Sequence, residues 1–337
     1  MVPRVFAGAL LVAVVLPGMA AQAQSPSIRV HDPVLIRADS TYYLFATGRG
    51  IAVWSSPDLL TWERQPPVFA EPPVWARDVV PDFSNHIWAP DIAYHNGTYY
   101  LYFSVSAFGR NTSAIGVATN TTLDPNDPDF RWVDRGIVVR SVPGRDLWNA
   151  IDPNLAFDDE GTPWLAFGSF WGGLKLVRMA DPPIRVATPE VWHTIAARHR
   201  YWKLDERDAG DATSSAVEAP FIFKKGDFYY LFASWDFCCR GMNSTYKVVV
   251  GRSRHITGPY VDKEGEKMVH GGGSVVVRGF EQSPRWVAGG HNGVYTFDGI
   301  DYLVLHAYDA TDEGRSRLVI RPIEWDDEGW PTVTLPD

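Results

Sequence analysis

Apolar and polar positions alternate along this chain in short bursts. Five runs are dense in Tyr, Phe, Trp and Leu: Tyr42-Tyr43-Leu44-Phe45-Ala46, Tyr99-Tyr100-Leu101-Tyr102-Phe103, Trp164-Leu165-Ala166-Phe167, Tyr229-Tyr230-Leu231-Phe232-Ala233 and Tyr302-Leu303-Val304-Leu305-His306. Such residues favour pleated, half-buried surfaces, so each run predicts a strand. Turn signals precede them (Asp39-Ser40, Asn96-Gly97, Asp158 to Gly161, Lys225-Gly226-Asp227, Asp298-Gly299), which reads as hairpins. Third strands are predicted at Ile51 to Trp54, Ile115 to Ala118, Leu174 to Val177, Lys247 to Val250 and Leu318 to Arg321, and fourth strands at Trp132 to Val139 and Ser274 to Val277. Long helical periodicity is absent.

Ahead of each hairpin lies a polar segment, usually with a proline: His31-Asp32-Pro33, Trp88-Ala89-Pro90-Asp91, Ile151-Asp152-Pro153-Asn154, Val217-Glu218-Ala219-Pro220 and Gly290-His291-Asn292. Aligned on Asp32, Asp91, Asp152, Glu218 and His291, the copies follow at 59, 61, 66 and 73 residues. Four short antiparallel strands at a fixed period describe a propeller blade. The interval exceeds the about 40–50 residues of familiar propeller repeats, so the loops must be elaborate. The expected fold is all-β, a five-bladed β-propeller spanning residues 24–337. Two packed β-domains are the alternative, but nothing in the middle reads as a linker. In a propeller the first strand of each blade lines the channel, so five distant side chains converge.

Composition supports one large core: charged residues are 21% and aromatics 13% of 337. The net charge of −9 and the lack of a basic patch argue against a nucleic-acid partner. Residues 1–23 read as a signal peptide, with Arg4, an apolar stretch from Phe6 to Val15, and Ala21-Gln22-Ala23 as the cleavage site. The expected product is exported, secreted or periplasmic, monomeric and free of the membrane after cleavage; a retained anchor is the other reading. The two cysteines, Cys238 and Cys239, are adjacent. A vicinal disulfide and two packed thiols both remain open. Asn96, Asn111, Asn120 and Asn243 head glycosylation sequons.

Asp32 and Asp152 precede prolines, which predicts an extended backbone there, and Glu218 lies two before one. Each has apolar neighbours, so each carboxyl should be partly desolvated and its pKa raised, and neighbouring carboxylates should drive their values apart. An isolated Asp-Pro is more often a turn. Three acids at repeat positions that converge on one channel change that balance. Asp91 follows its proline and reads as structural or supporting. Convergent carboxylates in an aromatic groove suit glycoside hydrolysis, one as acid and one as base. Trp88, Trp148, Trp171 and Trp235 lie beside the acidic segments, and Phe108, Phe170 and Trp171 sit next to glycines after strands. His291 occupies the fifth channel position. No zinc spacing or phosphate-binding glycine pattern occurs.

Taken together, these segments resemble glycoside hydrolase family 43, and within it the endo-1,5-α-L-arabinanases. Supporting stretches are Ile115-Gly116-Val117-Ala118-Thr119-Asn120, Gly168-Ser169-Phe170-Trp171, Asp236-Phe237-Cys238-Cys239-Arg240-Gly241, Val250-Gly251-Arg252-Ser253 and His306-Ala307-Tyr308-Asp309. The match runs in order from about residue 28 to the C-terminus. The resemblance implies a five-bladed propeller and an inverting mechanism on arabinan or arabino-oligosaccharides. It implies Asp32 as general base, Glu218 as general acid, and Asp152 as the residue that orients Glu218 and raises its pKa. It further implies that Trp88, Phe108, Asn149, Ser169, Phe170 and Trp171 line the sugar subsites, and that His291 supports calcium or a similar hard cation. Val287-Ala288-Gly289 departs from a Gly-Pro-Gly-like lead. Residues 194–214 fit no blade and leave endo against exo action open. An exo-acting arabinofuranosidase or β-xylosidase is the first alternative, and a non-catalytic sugar-binding propeller the second.

Overall fold

The computed structural model describes residues 28–198 and 215–336. Five antiparallel sheets follow one another around a ring, each opened by one of the polar segments. The first blade holds Val34–Ala38, Thr41–Ala46, Ala52–Ser56 and Glu63–Gln65. The second holds His86–His95, Thr98–Val105, Ser113–Asn120 and Val133–Ser141, with the two-residue strand Gly48–Arg49 paired to its inner edge. The third holds Asn154–Phe157, Pro163–Phe167, Leu174–Arg178 and Trp192–Ala196. The fourth holds Val217–Lys225, Phe228–Trp235, Lys247–Ser253 and Ser274–Val277. The fifth has three strands, Trp286–Phe297, Ile300–Asp309 and Arg315–Pro322.

The two-residue period of the second strands explains the ring. Tyr43 and Phe45 pack with Ile92, Leu101 and Phe103 of the next blade, whereas Tyr42, Leu44 and Ala46 pack with Val304, Leu318 and Ile320 of the last. Tyr100 and Tyr102 meet Leu165 and Phe167; Trp164 and Ala166 meet Tyr229 and Leu231; Tyr230 and Phe232 meet Leu303 and Leu305. Every second strand is therefore apolar on both faces, one toward each neighbour, and the core is five inter-blade layers. Burying one such aromatic contributes about 1.5–3 kcal/mol, which favours closing the ring over leaving a sheet face wet. The last blade is completed at the start of the described chain, where Leu318 N–H donates to Ile28 O at 3.1 Å.

The predicted second and third strands and both predicted fourth strands are present. Glu63–Gln65 and Trp192–Ala196 add outer strands to the first and third blades. The latter places residues 194–196, which the sequence left unassigned; residues 199–214 lie outside the described residues, as does the expected signal peptide. Among the described residues no helix is long and apolar enough to cross a membrane.

Candidate active site

The five polar segments share a backbone feature that overturns the extended conformation expected at Asp32 and Asp152. Asp32, Ala89, Asp152 and Ala219, each before a proline, and His291 have φ of +53°, +44°, +58°, +53° and +48°. They are left-handed rather than extended, and the ladders shift register beside them at Trp88/Asp91, Glu218/Phe221 and Gly290/Gly293. A left-handed residue other than glycine costs about 1–2 kcal/mol and persists where its surroundings over-determine it. Here the determinant is a side chain of the preceding blade. His306 Nδ1 accepts from Asp32 N–H (3.1 Å), Thr47 Oγ1 from Ala89 N–H (2.8 Å) and Ser104 Oγ from Asp152 N–H (3.0 Å). Asp152 Oδ2 accepts from Ala219 N–H (3.1 Å) and Ser234 Oγ from His291 N–H (2.8 Å). Thr47 directly follows a second strand, and Ser104, Ser234 and His306 lie within the last four residues of theirs. The third blade has Gly168 at that place, so Asp152 supplies its acceptor.

This motif corrects the alignment of the copies. Asp32, Ala89, Asp152, Ala219 and His291 are equivalent. Glu218 stands one residue earlier, with His31, Trp88, Ile151 and Gly290. The three acids are not at three equivalent positions, although the channel gathers them. Asp91, one residue past its proline, is buried and joins blades: its Oδ2 accepts from Leu155 N–H (2.8 Å) and its Oδ1 from Asn154 Nδ2 (3.3 Å). Burial pushes its pKa up to about 7 against these hydrogen bonds.

Asp32 is surrounded by donors. Its Oδ1 lies 3.1 Å from His31 Nδ1 and 3.1 Å from His291 Nδ1, and Thr47 Oγ1 donates to its Oδ2. Burial would raise this carboxyl, but His291, His31 and His306 hold it well below the usual carboxylate range. His291 and His306 are themselves pushed down by burial, while His31, despite burial, is raised by Asp32. Ring nitrogens of His31 and His306 and an oxygen of Asp32 lie within 4.8 Å of one another, a grouping that resembles a metal site. All four nitrogens of these two rings already face partners, however: Asp32 on the Nδ1 side of each ring and the Tyr308 hydroxyl on the Nε2 side.

Asp152, buried, and Glu218, half-buried, lie together in the same site. Ser169 Oγ donates to Glu218 Oε2 and Tyr246 OH to Oε1, both at 2.7 Å. Burial raises the Glu218 pKa, the two hydroxyls oppose the rise, and the charge of Asp32 adds to it. Asp152 is pushed well above its ordinary value by burial and then by Glu218 and Asp32. Asp152 also accepts from the Ala219 amide, the peptide that follows Glu218, and so ties the two acids together through the backbone. The site thus holds one carboxylate kept ionised and a pair inclined to keep a proton.

Of the expected sugar-contacting residues, Ser169 forms a bridge to Glu218. Trp88, half-buried, pairs across the sheet with Ser104. Phe170 and Trp171, both half-buried, take left-handed φ of +55° and +42°, and the Phe170 ring lies 5.8 Å from Phe237. Phe108 is 82% exposed. Asn149 is buried and accepts from Ser113 Oγ at 2.6 Å, which places it in the wall. Trp235, expected beside the groove, is core: it is 3% exposed, and the Arg198 guanidinium lies 3.9 Å from its ring centre. Trp148 packs on Trp192 with ring centres 5.3 Å apart. Cys238 and Cys239 form a disulfide.

Sequence reasoning assigned no role to Thr47, Ser104, Ser234, His306, Tyr246 and Tyr308. The first four had a readable signal, since each directly follows or ends the apolar run of its second strand.

Comparison with known proteins gives the same assignment. Residues 26–331 match the model of glycosyl hydrolases family 43. The chain is 55% identical over 306 residues to an extracellular exo-alpha-(1->5)-L-arabinofuranosidase of Cellvibrio japonicus, covering 91% of this chain and 86% of that protein. It is 42% identical to an extracellular endo-alpha-(1->5)-L-arabinanase of Bacillus subtilis, covering 90% and 87%. The structure of Cellvibrio cellulosa alpha-L-arabinanase complexed with arabinohexaose superposes with a TM-score of 0.85 at 54% identity, over 91% of this chain and 96% of that one. On the family match and these similarities, the chain belongs to glycosyl hydrolases family 43.

Proposed function

We propose that this protein is an exported enzyme that hydrolyses α-1,5-linked L-arabinofuranosyl bonds of arabinan with inversion. The observation that carries the chemistry is the opposed pKa directions in one cluster of carboxyls: Asp32 is held ionised, while Glu218 and Asp152 are raised. Two carboxyl groups whose surroundings drive them apart supply a base and an acid at the same pH. Asp32 accepts a proton from the attacking water, and Glu218 protonates the leaving glycosidic oxygen. Asp152 holds the peptide after Glu218 and shares its proton. Inversion needs the base and acid carboxyls about 6.5–9.5 Å apart, with water between. The relatives' names support arabinan as the substrate and an extracellular location.

Glu218→Ala tests the acid. Turnover of linear arabinan should fall by about 10²–10⁴, with a smaller loss on an aryl arabinofuranoside whose leaving group needs no proton. Equal losses on both substrates would remove Glu218 from that role.

The motifs favour cutting within the chain. Release from chain ends is a second reading, supported by the 55% identity to an exo-acting enzyme. A time course on linear arabinan separates them: early mixed oligosaccharides and loss of viscosity mean endo action, and one small product from the first minutes means exo.

For the cation, His291 fits a single protein contact. Its Nδ1 is committed to Asp32 and its ring is driven toward the neutral form by burial. Among the described residues its Nε2 has no hydrogen-bond partner, so a lone pair is free for an ion otherwise held by water. A bound hard cation would add positive charge beside Asp32. Calorimetric titration of calcium into chelator-treated protein should give a signal that His291→Ala abolishes.

A further inference from the structure

Tyr308 lies on the second strand of the fifth blade, two residues beyond His306, and is 3% exposed. Three groups hydrogen-bond its hydroxyl. Cys239 N–H donates to it at 2.7 Å, His31 Nε2 is 3.0 Å away and His306 Nε2 3.2 Å away. Ser244, whose Oγ accepts from Arg240 N–H, also faces it. A phenol oxygen has one proton to give and two lone pairs to fill, and His306 decides how they are used. Its Nδ1 accepts from Asp32 N–H, so the neutral ring carries its proton on Nε2 and donates to Tyr308. Together with Cys239 N–H this provides a donor for each lone pair, with the Ser244 hydroxyl a further donor beside them. The Tyr308 proton is left for His31 Nε2. When neutral, His31 must then carry its own proton on Nδ1, 3.1 Å from Asp32 Oδ1. One ordered set of hydrogen bonds runs from the Cys239 amide to the carboxylate.

The first donor in that set is aimed by the disulfide. Cys239 is left-handed at φ +66°, and the Cys238–Cys239 bond closes the intervening peptide into a small ring. The peptide N–H pointed at Tyr308 belongs to that ring. The loop is tied down beside it, where Thr245 N–H donates to Phe237 O (2.9 Å) and Phe237 N–H to Thr245 Oγ1 (3.2 Å).

We propose that Tyr308, aimed by the vicinal disulfide, is a positioning residue for hydrolysis, which locks His31 and His306 into opposite tautomers and so fixes the carboxylate of Asp32. The inference rests on Asp32 being the base. The test compares wild-type protein, wild-type protein reduced with dithiothreitol, and Tyr308→Phe. Reduction moves two electrons and two protons from the dithiol to the disulfide, giving two cysteine thiols and the cyclised reagent. Nitrogen-15 spectra of the imidazoles, assigned by single histidine replacements, should show His31 protonated on Nδ1 and His306 on Nε2 in the wild type. Tyr308→Phe should abolish the single His31 tautomer and lower kcat on arabino-oligosaccharides roughly ten- to a hundredfold, with KM within about twofold. Reduction should move both readouts in the same direction. A purely structural tyrosine would change the melting temperature and leave kcat per folded molecule and the tautomers alone. Persistence of the His31 tautomer in Tyr308→Phe, or an unchanged kcat, overturns the role of Tyr308. Unchanged spectra and kcat on reduction overturn that of the disulfide. The spectra need no substrate, so they test the hydrogen-bond order even if arabinan is not hydrolysed.

Discussion

Replacing Asp91 by Asn should make the fold more stable above neutral pH and leave it little changed in acid. The side chain is 3% exposed and ties the inner strand of the second blade to that of the third. Its partners are an amide N–H and an asparagine Nδ2 rather than a cation. Burial therefore outweighs the hydrogen bonds, and the pKa rises from 3.8 to about 7. The sign follows from linkage. A carboxyl raised in the native state binds its proton more tightly there than when unfolded. Its stabilisation is complete below the unfolded value and is lost as pH rises through about 7. At 1.36 kcal/mol per unit, the loss across that window is about 4 kcal/mol.

Asparagine is neutral throughout and keeps a carbonyl for Leu155 N–H. Its own NH₂ faces the Asn154 amide, a mismatch worth about 1 kcal/mol. Urea unfolding followed by tryptophan fluorescence at pH 5, 6, 7 and 8.5 would give the difference between variant and wild type. The expected course starts near zero at pH 5, where about 1.6 kcal/mol of the loss already offsets the mismatch, and becomes favourable to the variant by a few kcal/mol at pH 8.5. A difference that stays flat over this range would show that Asp91 does not change protonation there, and would refute the reasoning.

Two further substitutions probe the role proposed for Glu218. Tyr246→Phe removes a hydroxyl that lowers the Glu218 pKa, so Glu218 should stay protonated to higher pH. The alkaline limb of kcat/KM should move upward; a downward or absent shift, read from a pH–rate profile, contradicts the assignment. Gly290→Ala places a Cβ 2.3 Å from Tyr246 Cδ1. Overpacking of this kind costs about 1–3 kcal/mol. Because the displaced ring holds Glu218, kcat should fall at least about tenfold, and unchanged kinetics would mean that the ring does not position the acid.

The fold was legible because the second strands are apolar on both faces, and no surface strand of an ordinary sheet needs Tyr42 to Ala46 or Tyr229 to Ala233 in unbroken series. The outer strand Glu63–Gln65 escaped because it has only three residues, all polar, and Trp192–Ala196 because the polar pair His193 and Thr194 interrupts its apolar pattern. The convergence of Asp32, Asp152 and Glu218 was readable from the repeat, but their relative register was not. Aligning acid with acid follows chemistry; the backbone repeats in the left-handed residue and in the side chain that receives its N–H. Proline at the next position in four copies carried that register in plain view. The preference of pre-proline residues for extended backbone pointed the other way, because it is a local tendency and each of these N–H groups is held by the neighbouring blade.

The asymmetry of the site follows from where that rule fails. Four of the five preceding-blade acceptors are Thr47, Ser104, Ser234 and His306, and none is an acid. At Gly168 the side chain is missing. An added Cβ there would approach Gly173 O to 3.1 Å, and the backbone lies at φ +131°. The Ala219 amide is left for Asp152 to satisfy. A buried carboxylate is thereby placed one peptide from Glu218, and its coupling to that group keeps a proton in the pair. In the fifth blade Gly290, which occupies the position equivalent to Glu218, leaves space for the Tyr246 ring that holds the acid. Two glycines in a five-fold frame thus help decide where the proton is kept, while the ring itself provides only the meeting point.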